Sequence, residues 1–272
     1  MASYLLSCAG GSTLVHNLQW GLIFMAHHPN VQKKMQSEID ATIGERPAQS
    51  NDRPRMRYTE AVLCEVPRFS AISRVNVHRV TDEYELNGYR IPRNTVALIN
   101  LYSVHRDPTI WPSPDRFDPE SNFLGDKPDS TAVVETVAEG SEERRPLVRT
   151  EYLIPFGLGK RQCPGEALAR QELFLFFVAI LQKFTVSAPD GDLSRVPLEI
   201  YNAGYYTPTG FPQQCSFTLT PRSWSLPVTT ISYPNTSSSY KFSSNVLVKL
   251  VVVFVSILLS ILIGDVYMSY IK

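Results

Sequence analysis

The chain has 272 residues, with 26 Lys and Arg balanced by 26 Asp and Glu. No basic excess exists to neutralise phosphates, which argues against a nucleic-acid binder, and the length suits one to two domains with a sizeable core. The four cysteines, Cys8, Cys64, Cys163 and Cys215, are widely spaced without a Cys-x-x-Cys pair, which argues against a disulfide framework or a zinc site and fits a reducing compartment.

In chain order, the first element reads as a helix over residues 1 to about 27, apolar but interrupted by His16, Asn17 and Gln19. No basic residue precedes its apolar start, so a signal peptide is not expected. Inside it lies Ala9-Gly10-Gly11-Ser12-Thr13. Glycines in a helix interior cost about 1 kcal/mol each relative to alanine, so this pair points to close approach of something to the backbone, with helix packing the plainer cause. Pro29 is expected to stop this helix and Asn30 to cap the next. Val31, Met35, Ile39 and Ile43 then repeat at i, i+4, an amphipathic pattern ending at Gly44.

Residues 45–57 are polar, with Pro47 and Pro54, and read as a surface loop. A short helix from Thr59 carries Glu65-Val66-Pro67-Arg68. Glu65 and Arg68 share a face and can pair, although such a pair is most often a solvated surface contact. Pro67 removes a backbone donor and should distort the last turn. Residues 70–80 read as extended. Tyr84 to Ile91 reads as a hairpin, because Asn87-Gly88 readily adopts the positive φ angles of a type I′ turn. Residues 96–101 read as a further, buried strand. A proline-rich stretch follows: His105-Arg106-Asp107-Pro108, then Trp111-Pro112-Ser113-Pro114-Asp115-Arg116-Phe117-Asp118-Pro119-Glu120. Residues 126–149, charged and poor in apolar side chains, read as a mobile loop.

The stretch that places the others is Phe156-Gly157-Leu158-Gly159-Lys160-Arg161-Gln162-Cys163-Pro164-Gly165, which opens onto an apolar helix from about Ala167 to Phe184. Gly157, Gly159 and Gly165 let backbone approach a flat ligand closely. Cys163 lies just before the helix N-terminus, where backbone N–H groups and the helix dipole stabilise an anionic sulfur. Arg161 is a fixed cation suited to a carboxylate. A lone cysteine is by itself most often a small buried hydrophobe. In the helix that follows, Leu173, Phe176, Phe177, Ile180, Leu181 and Phe184 form a core stripe.

The pattern Phe-x-x-Gly-x-Arg-x-Cys-x-Gly resembles the haem-binding loop of the cytochrome P-450 superfamily, the haem-thiolate monooxygenases. The resemblance implies haem b with Cys163 as the axial metal ligand. It also implies Phe156, Gly157, Gly159, Arg161 and Gly165 as cofactor-binding residues, with His78 at a position that often contacts a haem propionate. An ordinary exposed histidine remains the alternative there. Ala9 to Thr13 resembles the family's distal helix, which makes Thr13 and Ser12 the candidate catalytic pair. Ser12 falls where the family usually has Asp or Glu, a departure at the position that delivers protons. Glu65 and Arg68 match the family's structural ion pair, and Ala9, Val75, Val77, Gly204 and Tyr205 its substrate cavity. The family's Pro-Glu-Arg-Phe would supply an Arg or His to lock that pair. Here Pro119-Glu120 is followed by Ser121-Asn122-Phe123, one residue longer and without that cation, so either Arg116 substitutes or the lock is weakened.

The resemblance runs over residues 1–222, looks most like the animal microsomal drug- and lipid-oxidising branch, and covers only the C-terminal half of such an enzyme. It implies a mainly α fold with a small β-sheet, here a partial haem domain. Residues 223–245 read as a flexible Ser/Thr/Pro linker, 246–263 as a transmembrane helix and 264–272 as a short tail. Between 246 and 263 the only charge is Lys249, and 18 residues at ~1.5 Å each span ~27 Å, close to a bilayer core. A buried core helix is the alternative. The resemblance implies a monooxygenase that takes electrons from an NADPH-dependent flavoprotein reductase and acts on a lipophilic small molecule. It would be single-pass in the endoplasmic reticulum membrane, in contact with membrane lipid, with its haem domain cytosolic. The alternative is a non-catalytic, membrane-tethered remnant or an incomplete gene model.

Overall fold

Apolar side chains at helical spacing bring four helices around one core. The computed structural model describes residues 2–125, 146–193, 216–222 and 229–232. In it, α1 (Ala2–His27), α2 (Pro29–Thr42), α3 (Arg57–Ser70) and α5 (Glu166–Lys183) pack together, with a single turn, α4 (Leu101–Val104), ahead of the proline-rich stretch. Trp20, Phe24, Met35, Ile39, Val66 and Phe177 lie in the shared cluster. The stripe of α5 is centred on Phe174, Phe177, Val178 and Leu181, whereas Phe176, Ile180 and Phe184 are half-buried. The α1–α5 crossing depends on a glycine: a Cβ added at Gly21 would lie 2.7 Å from Phe177 Cε2.

Pro29 starts α2 rather than merely ending α1, because proline suits the first helical turn, where its missing N–H is unneeded. Asn30 is therefore inside the helix and not its cap. Two buried glutamines of α2 serve as strand neighbours. Gln32 donates to the Val186 carbonyl at 2.9 Å and accepts from its N–H at 2.7 Å, and Gln36 donates to the Phe184 carbonyl at 3.0 Å. Each buried amide thereby satisfies backbone that would otherwise be desolvated without a partner. Residues 45–57 are not only a surface loop: a 3-10 turn at Ser50–Arg55 buries Asp52 completely, held by Arg46, Arg55 and the Gln49 N–H. The helix α3 runs through Pro67 to Ser70 and closes on the left-handed Ala71. A proline this close to the end removes one bond without ending the helix.

Three small antiparallel sheets complete the described fold. β1 (Val75–Arg79) pairs with β4 (Val96–Asn100), setting His78 opposite Ala97. β2 (Tyr84–Leu86) and β3 (Tyr89–Ile91) form the expected hairpin, with φ of 51° at Asn87 and 81° at Gly88. β4 is not buried: Val96, Leu98 and Ile99 are exposed, because its only strand partner among the described residues is β1. β5 (Phe184–Ser187), β6 (Ser216–Pro221) and β7 (Thr229–Ser232) form the third sheet, so part of the stretch read as linker pairs as a strand. Among the described residues no helix is long and apolar enough to cross a membrane. Residues 126–145, most of the expected mobile loop, and the apolar run at 246–263 lie outside the described residues.

Candidate active site

The site is built up from a buried ion pair. Arg68 grips Glu65 with two bonds, of 2.6 and 2.8 Å, and both side chains are fully buried. Arg68 also donates to the carbonyls of His105 (2.7 Å), Pro114 (2.9 Å) and Arg116 (2.8 Å). The pair is thus the pin of the proline-rich stretch rather than a surface contact. Its third member is Asn122, which donates to Glu65 Oε1 at 3.0 Å beside the Asp118 N–H at 2.8 Å. Arg116 does not substitute with its guanidinium and gives only its carbonyl. The extra residue is absorbed by a π-helical turn, Glu120–Leu124, closed by the Gly125 N–H on the Glu120 carbonyl at 3.1 Å. Such one-residue insertions are what π-turns accommodate. Burial pushes the Glu65 carboxyl up, and Arg68, the Asp118 N–H and Asn122 oppose the rise.

His105 links this pin to the cysteine loop. Its Nε2 accepts the Ile154 N–H at 3.1 Å. Burial, then the charges of Arg68 and Arg106, push its pKa down to about 4, so it is neutral near pH 7. From Ile154 the loop turns tightly: the Gly157 N–H bonds the Ile154 carbonyl at 3.0 Å, and the Cys163 N–H bonds the Phe156 carbonyl at 2.8 Å. Gly157 has φ of 75° and a Cβ there would meet Asn76 Nδ2 at 2.9 Å, so the position excludes side chains twice over. Gly159 begins a 3-10 turn, Gly159–Arg161, and Gly165 is the N-cap of α5.

Cys163 is exposed and is not a buried hydrophobe. It lines a cavity of about 940 Å³ together with Phe156, Arg161, Val75, Val77 and His78. Thr13, from α1, lines the same cavity, and its hydroxyl donates to the Gly10 carbonyl at 3.3 Å. The cysteine loop, strand β1 and helix α1 therefore meet at one space. A Cβ at Gly10 or Gly11 would touch nothing within 4 Å among the described residues. Ser12 and Ala9 lie on α1, but their side chains are outside the described part, as are Gly204 and Tyr205 altogether.

Sequence reasoning missed His105, Asn122 and Gly21 as working residues, and it missed Leu14 and Asn17, which join Thr13 in the cavity wall. A helical projection of α1 would have found the last two, since Asn17 lies four positions from Thr13 and Leu14 three from Asn17, spacings that share a face. No local signal marks the other three.

The residues present fit haem. Among the described residues no cluster of three His, Cys, Asp or Glu could hold a metal by itself. The cavity's cations include Arg79, Lys160 and Arg161, with the imidazole of His78 in the same lining, while its one acidic side chain among the described residues, Glu60, is already bound by Arg53 at 2.6 Å. That balance suits a flat apolar ligand carrying carboxylates. Val77, 66 % exposed, and Val75 offer the apolar contact.

The comparisons agree. The chain is 43% identical over 185 residues to Cytochrome P450 2U1 of Mus musculus, an alignment covering 67% of this chain and 32% of that protein. It is 41% identical over 186 residues to human Cytochrome P450 2J2, covering 68% and 33%. A solved zebra fish cytochrome P450 structure with progesterone superposes with a TM-score of 0.56 at 34% identity, covering 68% of this chain and 38% of that one. The chain spans about a third of the length of the curated relatives it matches. The sequence model of the family described as Cytochrome P450 matches residues 2–201, and the chain belongs to that family.

Proposed function

We propose that this chain binds haem b through Cys163 and serves the insertion of one oxygen atom from dioxygen into a lipophilic substrate. Electrons would come from an NADPH-dependent flavoprotein reductase at the endoplasmic reticulum membrane. The observation that carries this reading is an exposed thiol, held in a glycine cradle, lining the same cavity as Thr13. Bound haem, held by the Cys163 thiolate, would supply the redox and oxygen chemistry. The chain's own residues do the rest. The bond from the Cys163 N–H to the Phe156 carbonyl fixes the sulfur's direction. Arg161 and His78 hold carboxylates. Val75 and Val77 present apolar surface to the substrate and displace water. The Thr13 hydroxyl, donor and acceptor at one atom, passes a proton into the cavity. The apolar run at 246–263 supports attachment to the membrane.

The exposed apolar side chains of β1 and β4 favour a second reading, in which the chain carries the ligand machinery without enclosing the cofactor for turnover. One titration separates the two. Added haem, reduced under carbon monoxide, should give the red-shifted Soret band of thiolate ligation, and Cys163→His should lose that band while retaining haem. An unchanged spectrum in the variant removes Cys163 from the site. A normal band without NADPH-driven product favours the second reading.

A further inference from the structure

His105, the first residue of the proline-rich stretch, is 1 % exposed and lies in the cavity wall. It has contacts on two sides. Its carbonyl receives Arg68, the cation of the buried pin, at 2.7 Å. Its ring receives the Ile154 N–H at 3.1 Å, from a residue 49 positions away. Ile154 in turn accepts the Gly157 N–H, and Phe156 accepts the Cys163 N–H. Two consecutive turns of the cysteine loop therefore hang from a segment whose first anchor outside the loop is this ring. An N–H donor at Nε2 requires a lone pair there, so the proton of neutral His105 sits on Nδ1. Nδ1 is buried and has no partner among the described residues. A residue chosen only to fill space would not leave a donor unsatisfied at a cost of about 1–3 kcal/mol. The retained function is the acceptor.

We infer that His105 is a positioning residue for the thiolate loop: its Nε2 lone pair fixes the backbone at Ile154 and so transmits the Glu65–Arg68 pin to the bearing of Cys163. The link to a haem ligand rests on the function proposed above, whereas the loop anchoring does not. Two substitutions divide acceptor from bulk. His105→Gln places a carbonyl oxygen near the Nε2 position, and His105→Leu fills similar space with no acceptor.

The experiment is amide hydrogen exchange on the full chain without haem, read as the ratio of exchange in residues 154–163 to that in α2. The ratio should rise by roughly fivefold to tenfold in His105→Leu, the factor equivalent to one hydrogen bond, and stay within about twofold of wild type in His105→Gln. An unchanged ratio in His105→Leu overturns the inference, and so does uniform acceleration of loop and α2 together. The wild type gives a check without substitution. Protonation consumes the Nε2 lone pair, so the ratio, corrected for intrinsic exchange, should climb as pH falls toward about 4. The charges acting on the ring are the guanidinium groups of Arg68 from α3 and Arg106 from its own segment. His105→Gln should be flat over that range, and a wild type equally flat also overturns the inference.

Haem is added last. A shift of the reduced carbon monoxide band away from the thiolate position in His105→Leu, restored in His105→Gln, extends the effect to the ligand. Should wild type bind no haem while the exchange ratios behave as expected, the anchoring stands and the haem reading falls.

Discussion

Asn122 donates its side-chain amide to Glu65 Oε1 at 3.0 Å, inside a site where both residues are fully buried. A neutral donor thus completes a pair that the resemblance would complete with a cation. The pair remains net neutral, since Glu65 is answered by Arg68 alone. A second buried cation would carry its own desolvation penalty. Asn122 also receives the Ser113 N–H at 3.1 Å on its carbonyl oxygen and donates to the Ser113 carbonyl at 3.2 Å, so both ends of the amide are used.

That geometry predicts an asymmetric response to substitution. Asn122→Leu leaves one Glu65 oxygen short of a donor and should cost about 1–3 kcal/mol in urea unfolding. Asn122→Asp sets a second carboxylate beside the first and should cost more near neutral pH. Its deficit should shrink on acidification, because the introduced carboxyl, once protonated, sheds its charge and offers a hydroxyl donor in place of the amide. Equal costs for the two variants at about pH 7 would contradict this placement of Asn122.

Gly21 makes a second prediction, about the angle at which α1 crosses α5. Its neighbour Phe177 is 1 % exposed and belongs to the buried core cluster. Gly21→Ala gains helix propensity of about 1 kcal/mol, but overpacking of this kind typically costs about 1–3 kcal/mol. The clash should win, with net destabilisation. Combining Gly21→Ala with Phe177→Leu should recover part of the loss, and strict additivity of the two costs would show that they do not meet.

Legibility differed residue by residue. The cysteine loop and the Asn87-Gly88 turn could be read because their chemistry is local: glycines with positive φ and a thiol before a helix are properties of ten or fewer consecutive residues. Thr13 could be placed beside Cys163 only through resemblance, since nothing local says that residues 150 positions apart share a cavity. Asn122 and His105 act on partners 57 and 49 positions away, and an Asn in a loop or a His before Arg carries no mark of that. Strand β4 misled for a related reason. Its Val-Ala-Leu-Ile run reads as a buried strand, yet burial depends on what covers the sheet, which the strand itself does not encode.

The cysteines supply a third prediction, read by thiol labelling and peptide mapping. Burial first, then the charge of Glu60, pushes the Cys64 thiol up to about 12, so it offers almost no thiolate near neutrality. Cys163 is exposed. In the folded chain without haem, Cys163 should label and Cys64 should not until denaturant is added. Haem should protect Cys163 while leaving Cys64 unchanged. Labelling of Cys163 that haem does not slow would argue against ligation there.

The last prediction concerns acid and follows from His105. Its folded-state pKa is pushed down to about 4 from an ordinary 6.5. Above 6.5 neither the folded nor the unfolded chain protonates this ring, and its contribution to stability is complete. As pH falls below that value the unfolded chain takes up a proton that the folded chain refuses, so the unfolded state gains and stability declines. The decline continues until the folded ring also protonates, near 4, and levels off below. Fully developed, the difference is about 3 kcal/mol. His16 and His28, whose pKa values burial also lowers, act in the same direction. The share belonging to His105 must therefore be isolated by substitution. His105→Gln cannot titrate but keeps an acceptor for Ile154. Urea midpoints measured at about pH 7.5 and about pH 5 should differ less in this variant than in wild type. The two proteins should also lie closer together at the lower pH than at the higher one. If wild type and His105→Gln lose the same stability over that interval, the ring is not held neutral by its surroundings, and the anchoring of the cysteine loop would have to rest on another residue.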